Sequence, residues 1–358
     1  MRSERTAGST DFCPEVTLLI AAYNEIKNVP VKISNTAQLD YPPEKLKVIW
    51  ITDGSDDGTP ELLKQHPGHL VLHQQERAGK TAALNRAMKY VTTPFVVFCD
   101  ANTLLDRMAL RRLMVHFSDT RVGCVAGEKR ISRNKANNAA GSGEGAYWQY
   151  ESLIKQLESR LYSTLAAAGE LYAIRSNLYT EADPDSIIDD FVISVKIAMS
   201  GFRIKYAPDA FTLESPSVNI HEELKRKIRI ASGGFQTIIR FPGMLNILRY
   251  GLLSFEFISH KALRWLLVPV CIPAILILNG IICFQQYPDF SLYSVVLLLQ
   301  GIFYAFVILG FAIEKQPLRF RIFFLPYYLI IMNYAQMAGI VRYISKKQTV
   351  VWEKSLRA

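Results

Sequence analysis

PFVVFCDANT, residues 94–103, is a short apolar run that stops on an acid, Asp100. Aromatic and β-branched residues fill it, so it reads as a buried strand followed by a turn. The same pattern stands upstream in KVIWITD (47–53), which ends on Asp53, and in VTLLIAA (16–22). HLVLHQ (69–74) makes a further strand. Helical patterns separate them at 26–38, 56–66 and 79–91, the last being GKTAALNRAMKYV. Strands alternating with helices predict an α/β protein with a largely parallel sheet. Ligands of such sheets sit beyond the carboxyl ends of the strands. One acid at a strand end can simply cap the next helix. Two at matching ends, with Lys80 opening a helix between them, point to a polar ligand site.

Outward from this block, VGCVAGEKRI (122–131) and LYAIRS (171–176) read as strands, and GSGEGAYWQYESLIKQLESRLY (141–162) as a Gly-rich loop running into a long helix. DDFVISVKIAMSG (189–201) is a helix stopped by Gly201. FRIKYAPDAFTLES (202–215) reads as strand, turn, strand, and 221–240 as a basic amphipathic helix.

The rest of the 358 residues differs in character. Residues 266–284 and 292–313 are apolar runs, each long enough to cross a hydrocarbon core of about 30 Å. A third run, 322–342, is interrupted by Pro326, Asn333, Gln336 and Gly339, and is expected to be interfacial or re-entrant. The start, MRSERTAGST, is polar and does not read as a signal peptide. The net charge of +9 is concentrated at 221–264 and in the tail 342–358. Basic charge beside apolar spans marks the cytoplasmic face and attracts anionic lipid, with Lys261 and Arg264 expected toward headgroups and Trp265 at the interface. No aromatic-interleaved basic patch supports nucleic-acid binding. The five cysteines have no paired or metal-type spacing and read as reduced thiols. The expected organisation is a cytoplasmic domain at 1–240, a basic interfacial helix region at 241–264, and a membrane region at 265–358. The chain is expected to be an integral membrane protein of a bacterial inner membrane.

Over residues 16–265 the motifs resemble the family 2 inverting glycosyltransferases, in the branch of the cellulose, hyaluronan and poly-N-acetylglucosamine synthases. The resemblance implies the nucleotide-sugar-binding fold called GT-A, followed by an α-helical membrane region. AAYNE (21–25) is similar to the first-strand motif, which implies donor contacts for Ala22, Tyr23 and Glu25. TDGSDDGT (52–59) resembles the motif whose acid, here Asp53, accepts from uracil or ribose, while Asp56 or Asp57 caps the next helix. RAGKTAALNRAM (77–88) implies Lys80 on the diphosphate, where a helix N-terminus also favours an anion.

FCDANT (98–103) occupies the family's metal motif as Asp100-Ala101-Asn102. Asp100, with Asn102 in place of a second carboxylate, is implied to hold Mg²⁺ or Mn²⁺ against the donor's phosphates. IIDDF (187–191) resembles the motif that carries the general base, implying Asp190 as base and Asp189 beside it toward the acceptor. The alternative is two first-turn acids matched to a helix dipole. In KRKIRIASGG (225–234), Arg226 and Arg229 fit the family's two basic places, implied on the diphosphate, and the alternative is charge facing lipid. Ile230 replaces a tryptophan that stacks on the growing chain. AAAGELYAIRS (166–176) implies Gly169 and Glu170 at the acceptor.

The implied activity is transfer of a sugar from a nucleotide-diphosphate donor, with UDP-sugar expected, to a glycan acceptor with inversion to a β-linkage. Two alternatives stand beside it. One is transfer of a single sugar to a polyprenyl-phosphate or lipid-linked acceptor. The other is an inactive nucleotide-sugar-binding subunit of an export complex. The expected partners are donor, glycan or lipid-linked acceptor, membrane lipids, and an oligomer or export partner.

Overall fold

A computed structural model describes residues 12–132, 139–313 and 321–349. Its strands are β1 (Val16–Ala22), β2 (Leu46–Asp53), β3 (His69–Gln74), β4 (Phe95–Asp100), β5 (Leu104–Leu105), β6 (Val122–Ile131), β7 (Leu171–Arg175) and β8 (Arg203–Glu214). They form one sheet in the order β3-β2-β1-β4-β7-β6-β8-β5. The half built from β1 to β4 is parallel, as the sequence predicts. The other half is mixed, because β7 runs antiparallel to both β4 and β6. Side chains alternate across the sheet. Leu19, Ile51, Val96 and Phe98 enter one buried layer, while Leu18, Ile20, Trp50 and Val97 enter the other.

Helices α1 (Val29–Ala37), α2 (Thr59–Lys64) and α3 (Lys80–Met88) accompany the first half, and α4 (Ala109–Met114) packs on β6, β7 and β8. Next come α5 (Ala139–Leu161), α6 (Asp189–Met199) and α7 (Ile220–Arg240), and then the short turns α8 (Ile247–Tyr250), α9 (Leu252–Glu256) and α10 (Arg264–Leu266). Gly201, at φ +90°, ends the α6 segment as expected.

Two expectations change here. The glycines of 141–145 lie inside α5 rather than in a loop. Residues 203–214 form one strand rather than two. Both halves pair in parallel with β6, and the ladder passes from Gly127↔Ala207 to Glu128↔Phe211, so Pro208, Asp209 and Ala210 bulge out instead of reversing the chain.

The two apolar runs become α11 (Val268–Gln285) and α12 (Leu292–Ala312), with mean hydropathies of 2.1 and 2.4. Only 11% and 6% of these windows is buried, so neither is a core helix of the globular part. Both are long and apolar enough to cross a membrane. The third run becomes α13 (Arg321–Ile344), which packs on α12 through Tyr327 and Phe311. Its other side meets α7, where Tyr328 donates to Glu223 at 3.4 Å and Tyr343 meets Phe235 edge to face. The loop 314–321 (EKQPLRFR), whose basic residues lead the sequence to predict it on the inner side, lies outside the described residues except for Arg321, as do Glu353, Lys354 and Arg357 of the tail.

Trp265 covers Gly234 of α7 and meets Phe191 of α6 edge to face. Lys261 and Arg264 were expected at headgroups, but both pair with the buried Glu151 of α5. A buried carboxylate draws such cations inward, because it would be costly unpaired.

The α7–α13 contact depends on small residues. A Cβ at Gly339 would lie 2.6 Å from the Ala231 Cβ and 2.8 Å from the Ile228 carbonyl oxygen. Gly339→Leu should therefore separate the two helices and cost about 1–3 kcal/mol. A thermal melt in detergent is expected to show a lower Tm, and an unchanged Tm would contradict this packing.

Candidate active site

The carboxyl ends of β1 and β2 and the start of α3 open on a pocket lined by Ala21, Ala22, Tyr23, Ile51, Asp53, Arg77, Lys80 and Ala83. Asp53 ends β2 in a buried position. Its Oδ2 accepts from the backbone N–H of Ala78 (3.0 Å) and Gly79 (2.7 Å), which ties the β2 end to the turn before α3. Gly79 takes φ +96° there, a conformation that suits glycine. Asp53 Oδ1 is buried with no hydrogen-bond partner among the described residues. Arg77 lies over the Tyr23 ring at 3.6 Å from its centroid, beside the same pocket.

Not every donor-site candidate lines this pocket. The Glu25 carbonyl accepts the N–H groups of Asn28 and Val29, and its carboxylate takes the Asn28 amide, so it serves the start of α1. Asp57 takes the N–H and hydroxyl of Thr59, the first residue of α2, which is the capping role foreseen for Asp56 or Asp57. Asp56 bonds Asn24 instead.

Lys80 Nζ lies 2.6 Å from Asp100 Oδ1. Burial works against the Lys80 ammonium, but Asp100, Asp189 and Asp190 outweigh it and hold its pKa above the ordinary value. Ala101 is buried, and its N–H bonds the Ala21 carbonyl. Asn102 donates its amide to Glu214 at 3.3 Å, which leaves its carbonyl oxygen as the group able to face a cation.

Asp189 and Asp190 occupy the first turn of α6. A Cβ placed on Gly169 would lie 3.4 Å from Asp190 Oδ2 and 3.5 Å from Lys80 Nζ. Both groups therefore converge on the bare face of that glycine. Burial, reinforced by Asp189, pushes the Asp190 carboxyl up to about 7 despite the opposing charge of Lys80. Asp189 is buried, and its Oδ2 has no hydrogen-bond partner among the described residues. Arg229 donates to the Ile187 carbonyl at 3.1 Å, just before these acids.

Glu170 and Arg226 sit one layer away. Glu170 pairs with the fully buried Lys129 at 3.0 Å, and Lys129 also pairs with Glu214. Arg226 grips Glu223 at 2.9 Å and reaches Glu170 at 4.0 Å. Burial opposes ionisation of Glu170, but Lys129 and Arg226 hold its carboxyl well below the usual range. Sequence reasoning missed Lys129, Glu214 and Glu223 in this cluster, and also Arg77. Buried ion pairs between distant segments leave no local pattern to find.

A family model described as "Glycosyltransferase like family 2" matches residues 14–233. The chain belongs to this family. It is 28% identical over 268 residues to the poly-beta-1,6-N-acetyl-D-glucosamine synthase of Staphylococcus aureus (strain COL), an overlap of 73% of this chain and 64% of the relative. The synthase of the same name from Staphylococcus epidermidis is 26% identical over 285 residues, covering 77% of this chain and 68% of that one. The chain thus spans less than two thirds of the length of the S. aureus relative. Among solved structures, a mannosyltransferase from Pyrobaculum calidifontis in complex with GDP-Man and Mn²⁺ matches 97% of this chain and 92% of its own, with a TM-score of 0.70 and 25% identity. The fold is GT-A.

The Asp190 environment makes a direct prediction. In a pH titration followed by difference infrared spectroscopy, the carboxylic-acid band removed by Asp190→Asn should disappear with a midpoint of about 7. Asp189→Asn should move that midpoint to lower pH, since it deletes a charge that raises it. An Asp190 fully ionised well below neutrality would contradict the account.

Proposed function

We propose that the chain transfers a sugar from a nucleotide-diphosphate donor to a hydroxyl of a glycan acceptor, with inversion at the anomeric carbon. The observation that carries the reading is the convergence of Asp190 and Lys80 on Gly169. A proton acceptor and a cation both lie within 3.5 Å of the place that a Cβ would take on this glycine.

The donor's base and ribose lie in the pocket of Ala22, Tyr23 and Asp53, where the partnerless Asp53 Oδ1 accepts from them. Lys80 and Arg229 face the diphosphate. The acceptor enters over Gly169. Asp190 takes the proton of its hydroxyl as that oxygen attacks the anomeric carbon. The bond from that carbon to the diphosphate oxygen breaks on the opposite side, and an α-linked donor gives a β-linked product. The nucleotide diphosphate leaves with both bonding electrons, its charge met by Lys80 and Arg229. Asp189 keeps the Asp190 carboxyl high enough to hold a proton, while Lys80 keeps it low enough to be ionised near neutrality.

Among the described residues no group of three His, Cys, Asp or Glu side chains is placed to hold a metal. Asp100 with the Asn102 oxygen fits a cation held mainly by substrate phosphates, as Mg²⁺ commonly is. Bound there, Mg²⁺ or Mn²⁺ would neutralise charge on the leaving diphosphate.

A single-sugar, lipid-linked acceptor is the second reading. Ile230, standing where a chain-stacking tryptophan is expected, is the observation that favours it. In either case α11 and α12 anchor the catalytic domain to the cytoplasmic side of a bacterial inner membrane.

Membranes incubated with a panel of nucleotide sugars should release nucleotide diphosphate with one of them. Polymer in the aqueous phase would mark the first reading, and organic-extractable product the second. Asp190→Asn is expected to abolish transfer while donor binding persists, and normal turnover would refute the base assignment. The wild-type rate should rise with pH through about 7, because the base works only when ionised. Asp100→Ala should remove the Mg²⁺-dependent part of nucleotide affinity in calorimetry. Equal affinity with and without Mg²⁺ in the wild type would exclude the metal.

A further inference from the structure

The base stands at the end of an irregular segment, residues 182–188, that has no sheet or helix of its own to hold it. Buried peptide groups still need partners, and two helices supply them. From α3, Thr81 donates to the Ser186 carbonyl at 3.1 Å, and Asn85 to the Ala182 carbonyl at 2.8 Å. From α7, the Gln236 side chain uses both ends. Its oxygen accepts the Ile187 N–H at 3.0 Å, and its nitrogen donates to the Asp185 carbonyl at 2.9 Å. Arg240 adds bonds to the Ser186 hydroxyl (2.8 Å) and the Asp185 carboxylate (2.7 Å). Gly233 allows the close approach, for a Cβ there would meet Ile188 Cγ1 at 2.9 Å.

Positions 229, 233, 236 and 240 are spaced by four, three and four, so they form one stripe on α7. The stripe follows the segment up to the residue before Asp189. Gln236 is only 5% exposed and is not among the residues that line the pocket at the ends of β1 and β2. Its amide is committed to the peptide groups of Asp185 and Ile187.

We propose that Gln236 is a positioning residue for sugar transfer: with Gly233 beneath it, it fixes residues 185–188 so that α6 presents Asp190 opposite Lys80. The inference rests on the reading of Asp190 as the base. Apart from Arg229, which is on α7, the proposed donor contacts lie on β1, β2, α3 and β4, away from this amide. The signature of a positioning role is therefore a loss in the chemical step with donor binding kept. Misplacement of a catalytic group by about 1 Å costs roughly 10²-fold.

The test uses the full-length chain in detergent or nanodiscs, with the donor found by the panel. Gln236→Ala and Gly233→Ala act by different means, one deleting hydrogen bonds and the other pushing on Ile188. Each is expected to lower kcat by about ten- to a hundred-fold, with donor KM and nucleotide Kd within about two-fold of wild type. Rates are normalised to the nucleotide-binding fraction, so that loss of folded protein is not counted as loss of chemistry. A wild-type kcat in either folded variant, or a matching loss of nucleotide affinity, would overturn the positioning role. Asp190→Asn measured alongside separates the two failures. If it retains turnover, the reading of the base fails. If it is inactive while Gln236→Ala is normal, only the positioning role fails.

Discussion

Two adjacent carboxylates in the first turn of α6, Asp189 buried and Asp190 half-buried, set the terms for everything around them. Like charges in a poorly solvated place repel, and would strain the fold if nothing compensated. Compensation comes from three directions. The α6 N-terminus contributes its dipole, Lys80 faces Asp190 from the start of α3, and Arg229 reaches in from α7. Lys80 is held there because Asp53 fixes the turn before it. A residue at the end of β2 thus bears on the proton affinity of a residue far along the chain. Lys80 also pairs with Asp100, which joins the base to the candidate metal position.

The second ionic cluster has a different part. Lys129, Glu170, Glu214, Glu223 and Arg226 are all buried or nearly so. Pairs of this kind gain little net stability, because desolvation offsets most of the attraction. They do make misalignment expensive, since a displaced partner leaves a bare charge behind. The cluster runs from β6 and β8, through Glu170 next to Gly169, to the first turns of α7. It sets the register of α7 against the sheet. Arg226, which the family resemblance implies on a diphosphate, is engaged here with Glu223.

Half of the sheet and the acids that end its strands were legible in the sequence, for a local reason. A parallel strand buried on both faces is a continuous apolar run, and its ligand-facing residue is the polar one that ends it. Asp53 and Asp100 announce themselves in this way. The second half was harder, because its order depends on long-range pairing. The β8 bulge reads as a turn, since Pro208-Asp209 looks the same whether the chain reverses or only kinks. Lys261 and Arg264 have the composition of lipid-facing charge. What decides their place is Glu151, which lies 113 residues from Arg264 in sequence. The clamp on residues 182–188 was invisible for the same reason, since Gln236 carries no pattern until its partners are known.

One turn of α7 explains how these demands meet. Ala231, Ser232, Gly233 and Gly234 follow one another, and successive helical positions point about 100° apart, so together they circle the helix. Each direction has an occupant. Gly339 of α13 lies against Ala231 and the Ser232 backbone, Ile188 of the base-bearing segment lies over Gly233, and the Trp265 ring lies over Gly234. A larger side chain at any of these positions would push one of the three away. Two glycines in a helix interior cost roughly 0.5–1 kcal/mol each in backbone entropy, and the packing of three elements around a single turn offsets that cost. The catalytic segment, the chain leading into the first apolar helix, and the last apolar helix therefore share one pivot. A shift of α13 against α7 has a short physical route to the carboxylate of Asp190: through Ala231 and Gly233 to Ile188, and from Ile188 into the first turn of α6.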